Sequence, residues 1–428
     1  MKSKNCLVLF NNSWGEVDFI LPILKDIHDK KNTIYSSFKF IQMLSQKKNY
    51  QDLYNILNKI SLIIETKNKN QKTSIFKLIL NMLIYPKYIF IKLKNFNIFK
   101  VKSYFKNIKS NETTIKNINF LKNSNIKIDT ILCADWDANY FYWIREFPHA
   151  KFILFPHGIV LRGNFMNKSR NISDKLFRDS FKLRQYQLSK FPKKTILFSM
   201  NKDELDYFKK FAPKNIILKV LGFPRLTKDW TKYLHSHRNI SNLKIKKKNI
   251  FLILGKKTYL GNKEIVNKIK SVIKIAEEFG YDLIIKNHPR NKFNLSKFTN
   301  LSKKVSIIET NLSISGTLKF CEIVILTSKS GVSLECAFQK KLVIEYYKYG
   351  RENKKNKVYE FNINNKIQSL YKYLNLVYSC KNHKDLTILF QRLVRDNKFY
   401  NKILTKQNKA VLKILFKNEF KKSIVNYI

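Results

Sequence analysis

The strongest constraint on the fold is an alternation, in the second half of the chain, of short apolar runs with longer amphipathic ones. Asn249 to Leu254 is NIFLIL, and a loop from Gly255 to Gly261 follows. Glu264 to Phe279 then places Ile265, Ile269, Val272, Ile273 and Ile275 on one helical face. Gly280 closes that helix, and Asp282 to Lys286 (DLIIK) is the next strand. Val305 to Ile308, Ile323 to Leu326, a helix from about Val332 and Leu342 to Glu345 continue the pattern. Strands this short and apolar, separated by helices, are buried on both faces and run parallel.

The first half repeats the theme more loosely. Asn5 to Phe10, Ile128 to Cys133, Lys151 to Phe155, Thr195 to Met200 and Ile216 to Leu221 read as strands. Val17 to Lys31 reads as a helix, and helical patterns run from there to about Leu121. At 428 residues the chain is too long for one ordinary domain. The expected architecture is α/β, with two Rossmann-like doubly wound lobes facing a cleft. The expected boundaries are an N-terminal acceptor lobe at 1–235, a polar and basic linker at 236–248 and a C-terminal nucleotide-donor lobe at 249–400. A C-terminal helix at 401–428 is expected to pack back onto the first lobe.

Composition narrows the functional classes. The five cysteines (Cys6, Cys133, Cys321, Cys336, Cys380) are scattered and form no CxxC pair. That pattern indicates a reducing compartment and neither a disulfide framework nor a structural zinc site. The start of the chain has too short an apolar core for a signal peptide, and no apolar run reaches a membrane-spanning length. The expected location is cytoplasmic.

The net charge of +53, from 83 Lys+Arg against 30 Asp+Glu, calls for an anionic partner or reflects inflated Lys, Asn and Ile throughout. Between Glu65 and Glu112 there is no acid at all, and lysines recur from Lys67 to Lys109 among Ile, Leu, Phe and Tyr. This interval is expected to be a basic helical insertion at about 67–109 that rests on the anionic inner face of the membrane. A solvated basic helix pair is the plainer reading. A nucleic-acid-binding protein is a further alternative, but it predicts clustered arginines and stacking aromatics, whereas these cations are mostly evenly spread lysines.

Motif spacing excludes several chemistries. GKKT at Gly255 to Thr258 follows a strand, yet Ile250 stands where a phosphate-binding P-loop needs its first glycine. No HExxH or GxGxxG occurs, and the histidines lack metal-ligand spacing. What remains lies just past the predicted strand ends, where open parallel sheets bind ligands. DLIIK runs into His288-Pro289, flanked by Lys286 and Arg290. ILTSKSGVSLECAF supplies Thr327, Ser328, Ser330 and Gly331 before a helix that carries Glu335. Hydroxyls and a glycine at a helix start direct N–H groups toward an anion, although plain capping by the serines accounts for the same residues. Glu335, one turn into the helix, can accept from two adjacent ribose hydroxyls or can simply compensate the helix dipole.

In the first lobe, His157 sits at the tip of the Lys151 to Phe155 strand. Its titration range suits a general base. Asp135, Glu16 and Asp18 lie near other strand tips and compete for that role.

KNHPR, followed some 40 residues later by TSKSGVSLECAF, resembles the HP and S/T-S…E motifs of two-lobed GT-B transferases. FPHG (Phe155 to Gly158) and LGFPRL (Leu221 to Leu226) are similar to their first-lobe motifs, so the resemblance spans roughly residues 130 to 350. The relatives in question build bacterial surface polymers: CDP-glycerol glycerophosphotransferases and capsule Kdo- or sialyltransferases. UDP-N-acetylglucosamine 2-epimerases share their fold.

The resemblance implies that His288, Ser328, Ser330 and Gly331 bind the donor's phosphates and Glu335 its ribose, with Lys286, Arg290 and Thr327 completing the pocket. It implies a CDP-, CMP- or UDP-linked donor, a glycan or lipid-linked acceptor, and a metal-independent, inverting transfer without a cofactor. A nucleotide-sugar epimerase is the alternative on the same fold.

Overall fold

The computed structural model describes residues 3–10, 14–38, 50–64, 112–134, 140–155, 185–236, 248–255, 261–288, 294–295, 298, 301–349, 361–363, 366–416 and 426–428. The first half builds a seven-stranded sheet from β1 (Asn5–Phe10), β2 (Thr33–Phe38), β3 (Leu62–Ile64), β4 (Thr130–Ala134), β5 (Lys151–Phe155), β6 (Thr195–Ser199) and β7 (Ile216–Val220), in the order β3-β2-β1-β4-β5-β6-β7. The second half builds a six-stranded sheet from β8 (Asn249–Ile253), β9 (Asp282–Lys286), β10 (Ile307–Glu309), β11 (Ile323–Leu326), β12 (Leu342–Tyr346) and, after a small hairpin of β13 (Phe361–Ile363) and β14 (Lys366–Gln368), β15 (Tyr378–Cys380). Its order is β10-β9-β8-β11-β12-β15.

All strand pairs within the two large sheets are parallel. Strand order reverses between β1 and β4 in one sheet and between β8 and β11 in the other, which is doubly wound topology with a switch point in each lobe. The two-lobed α/β expectation therefore holds.

Two strands lie where helical patterns were expected. β2 and β3 fall before Leu121, and β2 (TIYSSF) carries two buried serines that hide its periodicity. Those hydroxyls are satisfied by partners distant in sequence. Ser36 Oγ donates to Ser61 Oγ at 2.9 Å, and Asn117 Nδ2 donates to Ser37 Oγ at 2.8 Å. The first helix, α1 (Trp14–Asp29), also starts earlier than Val17, because Trp14 stacks on Tyr50 with ring centroids 5.6 Å apart and is fully buried. Glu16 thus lies in the first turn of a helix, not in a loop.

The helices that matter for the cleft are α2 (Gln51–Ile60), α3 (Asn262–Phe279), α4 (Ile314–Leu318), α5 (Val332–Phe338), α6 (His383–Arg395) and α7 (Asn397–Phe416). α3 ends as its sequence requires, on Gly280 in the left-handed conformation at φ +71°. One buried apolar cluster joins the lobes, running from Phe10 and Trp14 through Phe223 and Leu226 to Leu318 and Leu334. α7 packs on α5, α6 and β12 of the second lobe. The last residues contact the first lobe, where Tyr427 meets the Phe198 ring at 5.7 Å and Lys4 Nζ donates to Ile428 O at 2.6 Å. Most of the linker and the whole interval 67–109 lie outside the described residues.

Candidate functional site

The register of the second sheet aligns the tips of its central strands. Lys286 of β9 pairs with Ile253 of β8, Ile253 with Leu326 of β11, and Leu326 with Glu345 of β12. His288, Gly255 and Ser328 each stand two residues beyond this row. Three adjacent strands, spaced about 4.8 Å apart, therefore deliver a histidine, a glycine and a serine to one sheet edge at the switch point. Thr327, fully buried, ties this edge together: its Oγ1 accepts from the Gly255 N–H at 2.7 Å while its own N–H donates to Ile253 O at 3.1 Å.

Beyond Thr327, residues Ser328, Lys329, Ser330 and Gly331 are half-buried and lead into α5. Ser330 is committed to the turn, since its carbonyl accepts from Ser333 N–H at 3.1 Å. Lys329 Nζ lies 5.6 Å from the centroid of the Tyr347 ring, on the β12 side of the loop.

Lys286 is placed differently from the sequence expectation of a donor contact. The side chain is buried, donates to Leu312 O at 2.5 Å and stacks 4.6 Å over the Tyr50 ring. Burial pulls its ammonium down to about 8, while Asp52, Asp18 and Glu309 oppose that fall. Burial, followed by Asp18 and Asp52, raises the Tyr50 phenol. Tyr50 and Asp52 both come from the first lobe, so the floor of the cleft is shared. Asp52 at the start of α2 accepts from the Ser313 N–H at 3.0 Å and from its Oγ at 2.5 Å, while Ser313 in turn caps α4 through Gly316 N–H at 3.1 Å.

Glu335 is fully buried in α5 and both its carboxylate oxygens have partners. Oε1 accepts from Ser315 Oγ, which itself accepts from Gln339 Nε2 at 3.0 Å. Oε2 accepts from Arg225 Nη2. Arg225 belongs to the first lobe, just past β7, and its Nη1 meets Asp18 Oδ2 of α1 at 2.9 Å. Asp18 is thereby ion-paired, and Glu16 is buried in the same helix. Arg225 and Asp52 are the cleft residues that the sequence left unassigned. LGFPRL marked the position of Arg225, but nothing in that segment reveals which carboxylates it meets. His157, Asp135, Pro289 and Arg290 lie outside the described residues. Among the described residues no group of three or more His, Cys, Asp or Glu side chains could hold a metal ion, and no helix is long and apolar enough to cross a membrane.

No protein-family profile matches the chain. No curated protein sequence matches it either. Solved structures do. A UDP-N-acetylglucosamine 2-epimerase is 12% identical with a TM-score of 0.56, the alignment covering 100% of this chain and 94% of that one. The UDP-GlcNAc 2-epimerase from Methanocaldococcus jannaschii, solved with UDP-GlcNAc and UDP, is 15% identical with a TM-score of 0.52 and 99% coverage of both chains. The spinosyn forosaminyltransferase SpnP is 9% identical with a TM-score of 0.51 and 97% coverage of both. At these identities the likeness is one of fold. The chain has the two-lobed, GT-B-like architecture that these epimerases and glycosyltransferases share.

Proposed function

We propose that the protein is a transferase that moves a sugar or glycerophosphate from a nucleotide-activated donor, CDP-, CMP- or UDP-linked, onto a surface-polysaccharide or lipid-linked acceptor. The observation that carries this reading is the register-matched row of strand tips that brings His288, Gly255 and Ser328 to one edge of the second sheet. A diphosphate at that edge meets backbone N–H groups, hydroxyls and an imidazole, which suits stabilisation of a leaving nucleotide without a metal. The base that deprotonates the acceptor belongs to the first lobe, with His157 as first candidate and Asp135, Glu16 and Asp18 as the others. Of these, Asp18 is weakened by its ion pair with Arg225, which occupies one of its oxygens. The acid-free, lysine-rich interval between Glu65 and Glu112 supports work beside an anionic membrane surface.

Epimerisation of a nucleotide-sugar is the second reading, favoured by the epimerases among the solved structures of this fold. Against it, the described acids between the lobes, Asp18, Asp52 and Glu335, each hold a structural partner. Incubation with UDP-N-acetylglucosamine, CDP-glycerol and CMP-linked sugars, with and without a glycan acceptor, separates the two. The transferase reading expects nucleotide release that depends on acceptor. Accumulation of a C2 epimer in the absence of any acceptor would overturn it.

A further inference from the structure

We propose that Lys329 is a further donor-binding residue that divides its charge between the nucleotide's phosphates and the buried carboxyl of Glu345, so that donor binding takes up a proton. This rests on the reading of Ser328 to Gly331 as the phosphate-binding loop. Lys329 stands inside that loop, half-buried, between Ser328 and Ser330. Glu345 belongs to the same row of strand tips, since its register partner on β11 is Leu326, three residues before Lys329.

Glu345 is fully buried, and its Oε2 accepts from Ser369 Oγ at 3.0 Å. Among the described residues its Oε1 has no hydrogen-bond partner, and neither has the Oγ of Ser379, its register partner on β15. The charge of a carboxyl enclosed in this way depends on the cations around it. Burial pushes it up to about 7, while Ser369 and the lysines 329, 372 and 268 act in the opposite direction.

The three lysines are not equivalent. Lys268 is buried, donates to Tyr346 O and lies 4.4 Å from the centroid of the Tyr346 ring. Lys372 belongs to the short helix Leu370–Tyr373, whose cap is Ser369. Of the three, Lys329 belongs to the loop. Its Nζ lies 5.6 Å from the centroid of the Tyr347 ring, on a flexible four-carbon stem that can turn to another anion. Phosphates at the loop draw this ammonium toward themselves and bring negative charge of their own. Both changes disfavour an ionised Glu345 in a site with little water, and the carboxylate takes a proton from solvent to become a neutral carboxylic acid. By reciprocity the same proton strengthens donor binding, so affinity falls as pH rises through about 7.

The test uses the full chain with UDP-N-acetylglucosamine, CDP-glycerol and a CMP-linked sugar. Their phosphates are esterified on both sides and carry no group that titrates near neutrality. Titration calorimetry in phosphate and in Tris, whose heats of ionisation differ, counts the protons exchanged. At pH 7.5 wild type is expected to take up about half a proton, and between pH 6 and pH 9 to lose affinity by about fivefold to tenfold, as a tenfold change in proton affinity at Glu345 requires. Glu345→Gln, which removes only the charge, is expected to bind without this uptake and with a flat pH profile. Lys329→Met is expected to bind about fivefold or more weakly at pH 7.5 and to take up a smaller fraction of a proton. A merely structural role for Glu345 would change affinity equally at every pH. Uptake that Glu345→Gln leaves unchanged, wild-type affinity in Lys329→Met, or binding by wild type without uptake overturns the proposal while the donor site stands. Failure of wild type to bind any of the three probes overturns the donor-site reading and this proposal with it.

Discussion

Glu345 is fully buried at the level of the strand tips, where Ser369 Oγ donates to its Oε2 at 3.0 Å and its Oε1 has no partner among the described residues. Burial raises its carboxyl from 4.5 to about 7, against smaller opposing effects of Ser369 and the lysines 329, 372 and 268. Between those two values the unfolded chain releases a proton that the folded chain keeps. Stability from this group is therefore complete below pH 4.5 and is lost as pH rises through about 7. Glu345→Gln keeps the shape and the acceptor without the charge. It should raise stability at pH 8 by up to about 3 kcal/mol and leave stability at pH 4 nearly unchanged. Denaturant melts at the two pH values decide it, and equal effects at both would contradict the account.

The strand that holds Glu345 was legible, but its burial was not, because the cover comes from Ser369 and the segment around it rather than from neighbours in sequence. The same holds for Lys286 and Glu335. Local pattern put them at the cleft, whereas Tyr50 and Arg225, far away along the chain, decide what they touch.

Elements show how an amphipathic helix finds its seat. α7 buries Ile403, Gln407 and Val411, one turn apart, and Gln407 completes a sheet edge. β15 pairs with β12 only from Ile344 onward, so the peptide groups of Val343 have no strand beside them on that edge. The Gln407 amide fills the gap, accepting from Val343 N–H at 3.1 Å and donating to Val343 O at 2.8 Å. Gln407→Leu leaves two buried backbone groups unpaired and should cost about 2–5 kcal/mol, read from urea unfolding. A loss below about 1 kcal/mol would mean that water replaces the amide. Periodicity reads a C-terminal helix from Asn401, whereas α7 begins at Asn397. It could not announce which lobe receives it, since an apolar stripe fits either; Gln407, a polar residue inside that stripe, was the available signal.

At the scale of the whole molecule, the architecture follows from strands that are apolar along their whole length. β8 and β9 are buried at every position, so each needs a neighbour on both edges and helices on both faces. That rule made the second lobe readable from β8 to β12, whereas β15, three residues long with half-buried Tyr378 and Ser379, escaped it. The first lobe hid β2 because its buried serines are satisfied by Ser61 and Asn117 instead of by apolar packing, and it hid β3 because that strand is three residues long and leaves Leu62 exposed.

In the proposed function, the carboxyl edge of the second sheet is a nucleotide site with His288 aimed at the phosphates. Titration calorimetry of wild type and His288→Ala with UDP, CDP and CMP tests it most directly. Wild type is expected to bind at least one nucleotide saturably, and His288→Ala to bind it with an affinity lower by tenfold or more, equivalent to about 1.4 kcal/mol. Saturable binding that His288→Ala leaves unchanged, or no binding of any of the three nucleotides, would contradict it.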